Sequence, residues 1–501
     1  LITISIKRKR IRPIGVVEAH EPVEFGGQLR ILDRVRHEPH YKVKNMKKLT
    51  AKLPLGFQDS FGSRLILEKK IIKIIEDNFI NFGFSALKQS IFEISENIGS
   101  FLAEDPDNPM SDVYSFKDGN EQITYRYDFS AGLSRAYAQN YLQLPSIYKR
   151  YSIGEVARRE KPKKNIRLKS FTQADADIIG NVNKFQANAE LCNLIADTLF
   201  KLNFQSSEFK ICISNRKIIE GFIGELKITD EKQKTKVFRA IDKLDNPNIG
   251  FEGVKDLLGK KRIDQSGAIS YGADLSKIQI DQIINLLKFN ELKDLKSNLT
   301  NDLSKEGILE TEKLQEILNY GKYSNQVKLK IQKVRGLNYY TGWLIETELN
   351  LKNFTGLSVC SGGEYRDMIG RFKGVDVPGV GISFGVTRLV EAIYEMNKLK
   401  VKEKTPVLVC VMDKKFISKY YEILEDLRSN GINSEIFLDP SKNIGKQLSY
   451  ASKRGSPVAI ICGENEFEKD NTVTLKNLLA KKGEDNQITV PRKNFLQIFV
   501  I

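Results

Sequence analysis

Four stretches of this sequence hold residue types whose spacing could do chemistry. In the first, Arg158, Arg159 and Glu160 close one strand-like run, YKRYSIGEVARRE, and Arg167 and Lys169 open the next, IRLKSFTQADADIIG. Between them lies the basic turn KPKKN, so the whole reads as a hairpin with a long loop. Guanidinium groups gathered around such a loop can bond bidentately to phosphate. A solvated basic loop would have the same composition. In the second, Gln173, Asp175 and Asp177 alternate along a strand and share a face. If that face is buried, the carboxylates require a cation. RYDFSAGLSR adds Asp128 and Ser130, again two apart and on one face. Separated carboxylates plus an amide can converge on an ammonium group.

The third stretch is VRGLNYYTGWLIE, residues 334–346. It reads as buried sheet, yet Arg335 and Gly336 lead it and Tyr339 and Tyr340 sit side by side at its centre. Neighbours in a strand point to opposite faces, so the two phenols cannot serve one core. The fourth, GVDVPGVGISFGVTRLVEAI, is a glycine-rich strand turning into a helix with Arg388 in its first turn. Gly379, Gly381 and Gly385 lack side chains, which lets either a flat ligand or a neighbouring segment lie close to the backbone. The order is that of neither a Walker A loop nor a dinucleotide fingerprint.

Other chemistries are excluded by what is scarce. The histidines are His20, His37 and His40, all near the N-terminus, so no histidine-based triad or His-rich metal site is available elsewhere. Cys192, Cys212, Cys360, Cys410 and Cys462 are far apart, lie mostly in apolar runs and form no CxxC pair. That argues against zinc and a disulfide framework and for reduced core thiols in a cytoplasmic protein. No apolar run approaches a membrane span and no signal-peptide pattern is visible, so no membrane partner is expected. The net charge of +16 suggests a polyanion such as nucleic acid, although a lysine-rich composition alone would give the same balance.

Several elements must position these residues. A chain of 501 residues is expected to form two or three domains. Leu67, Ile71, Ile74, Ile75, Phe79 and Phe82 share one face of a helix over 64–83. Short strand-like stretches and loops follow to about 180, then the helix FQANAELCNLIADTLFKLNF and the strand FKICISN. Residues 215–325 change to a Lys-, Asp-, Leu- and Ile-rich helical pattern, read as an insertion. Strands resume at 327–348 and run on to VGISFG, and a helix follows over about 384–397. Beyond the charged linker NKLKVKEKT, residues 405–501 alternate short apolar strands with helices, the mark of a separate small α/β domain. There Asp413 is placed to cap a helix start and Gly431 a helix end. Residues 1–45 show a basic run, KRKRIR, and no sustained period; Met46 is the expected start, with the leader disordered or not translated, or else a basic nucleic-acid-binding arm.

Considered together, the strand–loop–strand carrying R-x-E and the glycine-rich strand leading to a helical arginine resemble motifs 2 and 3 of class II aminoacyl-tRNA synthetases. PLGFQD, residues 54–59, with the helix after it, resembles motif 1. RGLNYYTG is similar to the RGLDYYTG signature of the histidyl-tRNA synthetase family, CSGGEYRD to its GGRYD signature, and YRYDFSAGLSR to LRYDLTAPLAR of one branch. NIGKQLSYASKRG resembles part of the family's anticodon-binding domain. The resemblance implies an α/β architecture in which an antiparallel class II core spans 46–214 and 326–398. It also implies a helical insertion over 215–325 and an anticodon-binding domain over 405–501.

The implied activity is ligation of L-histidine to tRNA(His) through an adenylate made from ATP, with Mg²⁺ bridging the outer phosphates, in a cytoplasmic homodimer. Carried over by position, Arg158 and Arg335 would meet the α-phosphate, with Arg335 also beside the substrate carboxylate. Asp128, Gln173 and Asp177, with Ser130 nearby, would hold the α-amino group. Tyr339, Tyr340 and Tyr365 would line the histidine pocket. Glu160 would bond the adenine amino group, Phe171 would stack on adenine, and Arg167 and Arg388 would grip the outer phosphates. The sequence departs at Asn338 (aspartate in the signature), at Glu364 (arginine in the signature) and in the loop EKPKKNIRLKSF, one residue longer than the usual form. The Glu364 departure leaves the neighbouring pocket geometry open, and the loop implies unusual acceptor-stem reading. The alternative within the resemblance is a catalytically inactive regulatory subunit of histidine biosynthesis, a type that usually lacks the anticodon domain.

Overall fold

The computed structural model describes residues 50–98, 112–159, 162, 166–246, 248–263, 267, 269–334, 340–355, 357–374, 376–481 and 484–499, with only the backbone of Asp367. The chain divides into two units, residues 1–52 and 53–501. The leader over 1–45, together with Glu160, Arg335 and Tyr339, lies outside the described residues.

The larger unit is organised by an eight-stranded sheet. Its strands are β1 (Ser85–Ala86), β2 (Ile147–Ala157), β3 (Ser170–Gly180), β4 (Phe209–Asn215), β5 (Val327–Leu329), β6 (Tyr340–Leu349), β7 (Ser358–Tyr365) and β8 (Gly379–Gly385). Their order is β1-β2-β3-β8-β7-β6-β4-β5. All neighbours are antiparallel except the edge pairs β1 with β2 and β5 with β4.

The two-residue period decides what each face holds. Along β3, Ala174, Ala176 and Ile178 join an apolar cluster with Val380, Ile382 and Phe384 of β8 and Trp343 and Ile345 of β6. Three helices cover that face: α1 (Gly62–Asn81), α3 (Lys184–Lys201) and α4 (Val386–Glu395), with α2 (Ser130–Asn140) elsewhere. Leu67, Ile71, Ile75 and Phe79 come from α1, Leu191, Leu194, Ile195 and Leu199 from α3, and Leu389, Val390 and Ile393 from α4. Each such side chain contributes about 1.5–3 kcal/mol by leaving water. Asn183 starts α3 by accepting from the N–H groups of Phe185 and Gln186, as an N-cap should. The odd residues of β3, among them Gln173, Asp175 and Asp177, are left for the opposite face.

The insertion leaves after β4 and returns at β5. Helices including Arg216–Glu225, Glu231–Asp242, Gly250–Leu258 and Asp302–Asn319 surround their own apolar cluster, built on Ile218, Val237, Ile241, Leu257 and Leu287. Beyond the linker a second sheet has the order β10-β9-β11-β12-β13, from β9 (Val407–Val409), β10 (Ser434–Ile436), β11 (Val458–Ile461), β12 (Thr472–Asn477) and β13 (Gln487–Pro491). Its first pairs are parallel and its last antiparallel. Asp413 accepts from Lys415 N–H to begin the turn leading into Ile417–Ser429. Gly431 takes φ +73° just past that helix, where a Cβ would be strained.

Two local expectations are corrected. Asp128 and Ser130 are not alternating strand residues: Ser130 is the first residue of α2, and Asp128 sits in the loop before it. The loop is short enough for the Asp128 carboxylate to accept from the N–H groups of Ser130 (3.0 Å) and Ala131 (3.3 Å), satisfying donors a helix start leaves open. Arg158 and Arg167 do not end the hairpin strands; β2 stops at Ala157 and β3 starts at Ser170, which puts both arginines in the connecting loop.

Candidate active site

The face of the main sheet opposite the three helices forms one wall of a cavity of about 540 Å³. It brings together Asp128, Ser130, Arg158, Arg167, Phe171, Gln173, Asp177, Tyr340, Tyr365 and Arg388, every expected site residue that is described. Glu160, Arg335 and Tyr339 fall outside the described residues.

Strand register explains the polar row. Gln173, Asp175 and Asp177 lie opposite Gly385, Ser383 and Gly381 of β8 on one side. On the other they lie opposite Gly154, Ser152 and Arg150 of β2. Tyr365 donates to Asp177 Oδ1 at 2.6 Å, and Arg150 pairs with Asp177 Oδ2 at 2.7 Å. The glycine run therefore has a definite role at two positions. A side chain at Gly381 would collide with the Asp177 carboxylate, and one at Gly379 with the Tyr365 ring. These glycines make room for site side chains. At Gly385 a Cβ would meet only ordinary van der Waals neighbours, 3.8 Å away.

Burial sets the electrostatics. It raises the pKa of Asp128, against which Arg158, two backbone N–H groups and Arg150 work. It pushes Asp175 up to about 7, opposed by Arg150 and reinforced by the neighbouring Asp177. It also raises Asp177, with Arg150 and the Tyr365 hydroxyl opposing. Tyr365 is held well above the ordinary phenol range by burial and by Asp177. Oδ1 of Asp175 and Oε1 of Gln173 are buried without a hydrogen-bond partner. The single Ser152 hydroxyl proton goes to the carbonyl of Leu87, so it is not available to Asp175 across the ladder. Acceptors of this kind suit a ligand rich in N–H donors.

Cations line the same cavity. The Arg158 guanidinium lies 4.3 Å over the Tyr127 ring and 5.3 Å from the Phe171 ring, and its Nε donates to Tyr127 O at 3.2 Å. Arg388, in the first turn of α4, donates to Ser358 O at 2.7 Å. Both are thus held by aromatic faces or backbone, a form of preorganisation.

Three features were not legible beforehand. Arg150 carries no signal in the sequence, because only the hairpin register sets it across from Asp177. The insertion reaches the site: Asp242, Lys243, Asp245, Asn246 and Ile249 line the cavity. Lys333, 3% exposed, anchors that approach through Asp245 while also pairing with Glu346 and Glu348 of β6. Burial opposes its charge, but these carboxylates outweigh it and raise its pKa. Glu364, whose departure left the pocket geometry open, does not line this cavity. The strand alternation turns it to the α3 side, where it accepts from Asn188 Nδ2 at 2.7 Å.

Comparison with known proteins agrees with this arrangement. The histidyl-tRNA synthetase family matches residues 56–389, and an anticodon binding domain matches 406–500. A histidine–tRNA ligase of Pelagibacter ubique is 58% identical over 456 residues, covering 90% of this chain and 97% of that one. A histidine–tRNA ligase of Ruegeria pomeroyi is 35% identical over 459 residues, covering 87% and 91% respectively. Among solved structures, a histidyl-tRNA synthetase from Nostoc sp. superposes with a TM-score of 0.67 at 26% identity, over 90% of this chain and all of that one. The antiparallel core with its C-terminal α/β domain is thus the class II synthetase architecture, and the chain belongs to the histidyl-tRNA synthetase family.

Proposed function

We propose that this enzyme ligates L-histidine to tRNA(His) in two steps, through a histidyl-adenylate formed from ATP with release of pyrophosphate. The observation that carries the reading is the make-up of one cavity. Buried acceptors, two of them unpartnered, and three arginines, Arg158, Arg167 and Arg388, line the same space. Asp128, Gln173 and Asp177 take the α-ammonium group, with Ser130 beside them. Tyr340, Tyr365 and Tyr339 enclose the imidazole, and a site built to hydrogen-bond a substrate rejects analogues that lack the partner. Phe171 stacks on adenine and Glu160 bonds its amino group. Arg167 and Arg388 hold the outer phosphates.

The histidine carboxylate then attacks the α-phosphorus in line. Arg158 and Arg335 stabilise the charge that builds there, and pyrophosphate leaves. The terminal ribose hydroxyl of the tRNA next attacks the adenylate carbonyl, its proton passing to a phosphate oxygen as the acyl–phosphate bond breaks and AMP leaves. No side chain acts as nucleophile. Among the described residues no group of His, Cys, Asp and Glu is arranged to hold a metal. Mg²⁺ is assigned to the ATP triphosphate as part of that substrate.

The net charge of +16 favours the tRNA backbone as partner and implies salt-dependent binding. A homodimer is supported by large apolar side chains left exposed at Leu55, Phe61, Ile80, Phe92 and Phe116. The cytoplasmic assignment rests on the family and on five buried free thiols. Among the described residues no helix is long and apolar enough to cross a membrane. ATP–pyrophosphate exchange, with each amino acid offered in turn, tests the activation step. Exchange with histidine alone is expected; none with any amino acid, from folded protein, would overturn it.

A further inference from the structure

Arg150 is an unusual residue to find at the centre of a sheet. It is 0% exposed. None of its guanidinium nitrogens makes a hydrogen bond of good geometry, although Nη2 lies 2.7 Å from Asp177 Oδ2. A fully desolvated guanidinium with unsatisfied donors weakens a fold, and an apolar side chain of similar volume there would often serve stability as well or better. Its retention calls for a reason outside stability.

The reason lies in its surroundings. The acids facing it are Asp177 across the ladder, Asp175 on the same strand and Asp128 from the loop before α2. The phenols close by are Tyr148 of β2, Tyr365 of β7 and, beyond it, Tyr340 of β6. Arg158 faces Asp128 from the hairpin loop. For Asp175 and Asp177, Arg150 is the strongest influence favouring the charged form. One buried cation supports one carboxylate well, because like charges at this range disfavour each other. The contact selects Asp177, whose other oxygen is fixed by Tyr365. A carboxylate has about four acceptor positions, so two remain for a ligand.

We propose that Arg150 is a positioning residue for amino-acid activation: buried behind the acid row, it keeps the Asp177 carboxylate charged and turned toward the cavity, ready for the α-ammonium group of histidine. This rests on the assignment of that part of the cavity to histidine. Arg150 lines no part of the cavity and touches no reactant. It acts only through the acid.

The test is steady-state pyrophosphate exchange across pH with Arg150→Met, Arg150→Lys and Asp177→Asn. In Arg150→Met, KM for histidine is expected to rise about tenfold or more, with KM for ATP changed less than about twofold, and the acid limb of kcat/KM for histidine to move up by roughly one pH unit. Arg150→Lys, which keeps the charge, should bring the limb back. A merely structural role would lower kcat and weaken both substrates together with the limb unmoved, and that result overturns the proposal. If Arg150→Met does not fold, Arg150→Met/Asp175→Asn, which removes one acid along with the cation, is used instead. A raised limb in that variant supports the proposal and a wild-type limb overturns it. Asp177→Asn separates the two levels. An unchanged KM for histidine there removes the assignment of the cavity itself. A raised KM there, with no effect at Arg150, removes only the inference.

Discussion

Asp175 offers a sharp test of the electrostatic reasoning, because its effect on stability changes with pH. Its carboxyl is fully enclosed, and burial lifts it from the ordinary 3.8 to about 7, with Arg150 pulling the other way and Asp177 adding to the rise. Below about pH 4 the folded and unfolded chains both carry this proton, and the group is neutral to stability. Between about 4 and 7 the folded chain holds the proton more tightly than the unfolded chain. Stability therefore falls as pH rises through that window and levels off above the folded value. The full span corresponds to as much as about 4 kcal/mol. That is a large part of the roughly 5–15 kcal/mol that holds a folded domain together.

Asp175→Asn cannot ionise and fills nearly the same space. Urea unfolding of wild type and variant, side by side at pH 5 and pH 7.5, reads the difference. The variant is expected to gain stability relative to wild type on going from the lower to the higher pH, by up to about 2.5 kcal/mol, the rest of the span having been lost already below pH 5. A difference equal at the two pH values would show that Asp175 is already ionised in the folded chain at pH 5 and that burial does not raise its pKa. The reasoning about one cation among three acids would then fail with it.

Other consequences follow from individual contacts. Gly381→Ala places a methyl group against the Asp177 carboxylate, so KM for histidine should rise at least about tenfold while ATP binding holds, read by pyrophosphate exchange with each substrate varied. Lys333→Met leaves Asp245, Glu346 and Glu348 without their shared cation; a loss of about 3–5 kcal/mol is expected, together with faster proteolysis of residues 216–319, and an unchanged melt and digest would contradict the anchoring role. Replacing Lys161, Lys163 and Lys164 by alanine should slow tRNA charging far more than adenylate formation; equal losses in both would end the idea that this loop reads the acceptor stem.

The sequence by itself determined a good deal here. Alternation alone put Gln173, Asp175 and Asp177 on one face of a strand, because the pleat turns successive side chains to opposite sides. The change of period after the linker marked a separate α/β segment, and Asp413 and Gly431 sit at the helix ends their chemistry suits. Short-range rules of this kind depend on a few neighbouring residues. They were less dependable where a long-range contact decided the outcome. The spacing of Asp128 and Ser130 suggests a strand, yet they are loop and helix start, since a two-residue spacing also fits a carboxylate reaching back onto helix N–H groups. The glycines of β8 could have served a ligand or a neighbour. Only the register with β3 showed that Gly381 gives way to Asp177. Arg150 looks in the sequence like one more basic residue of a basic chain. Its partner lies 27 positions further on, across a hairpin, and burial rather than residue type makes the pair matter. The approach of Asp245 to Lys333 spans 88 positions and joins an insertion to the core. Such juxtapositions are set by tertiary packing, for which no local pattern in the chain is a signal.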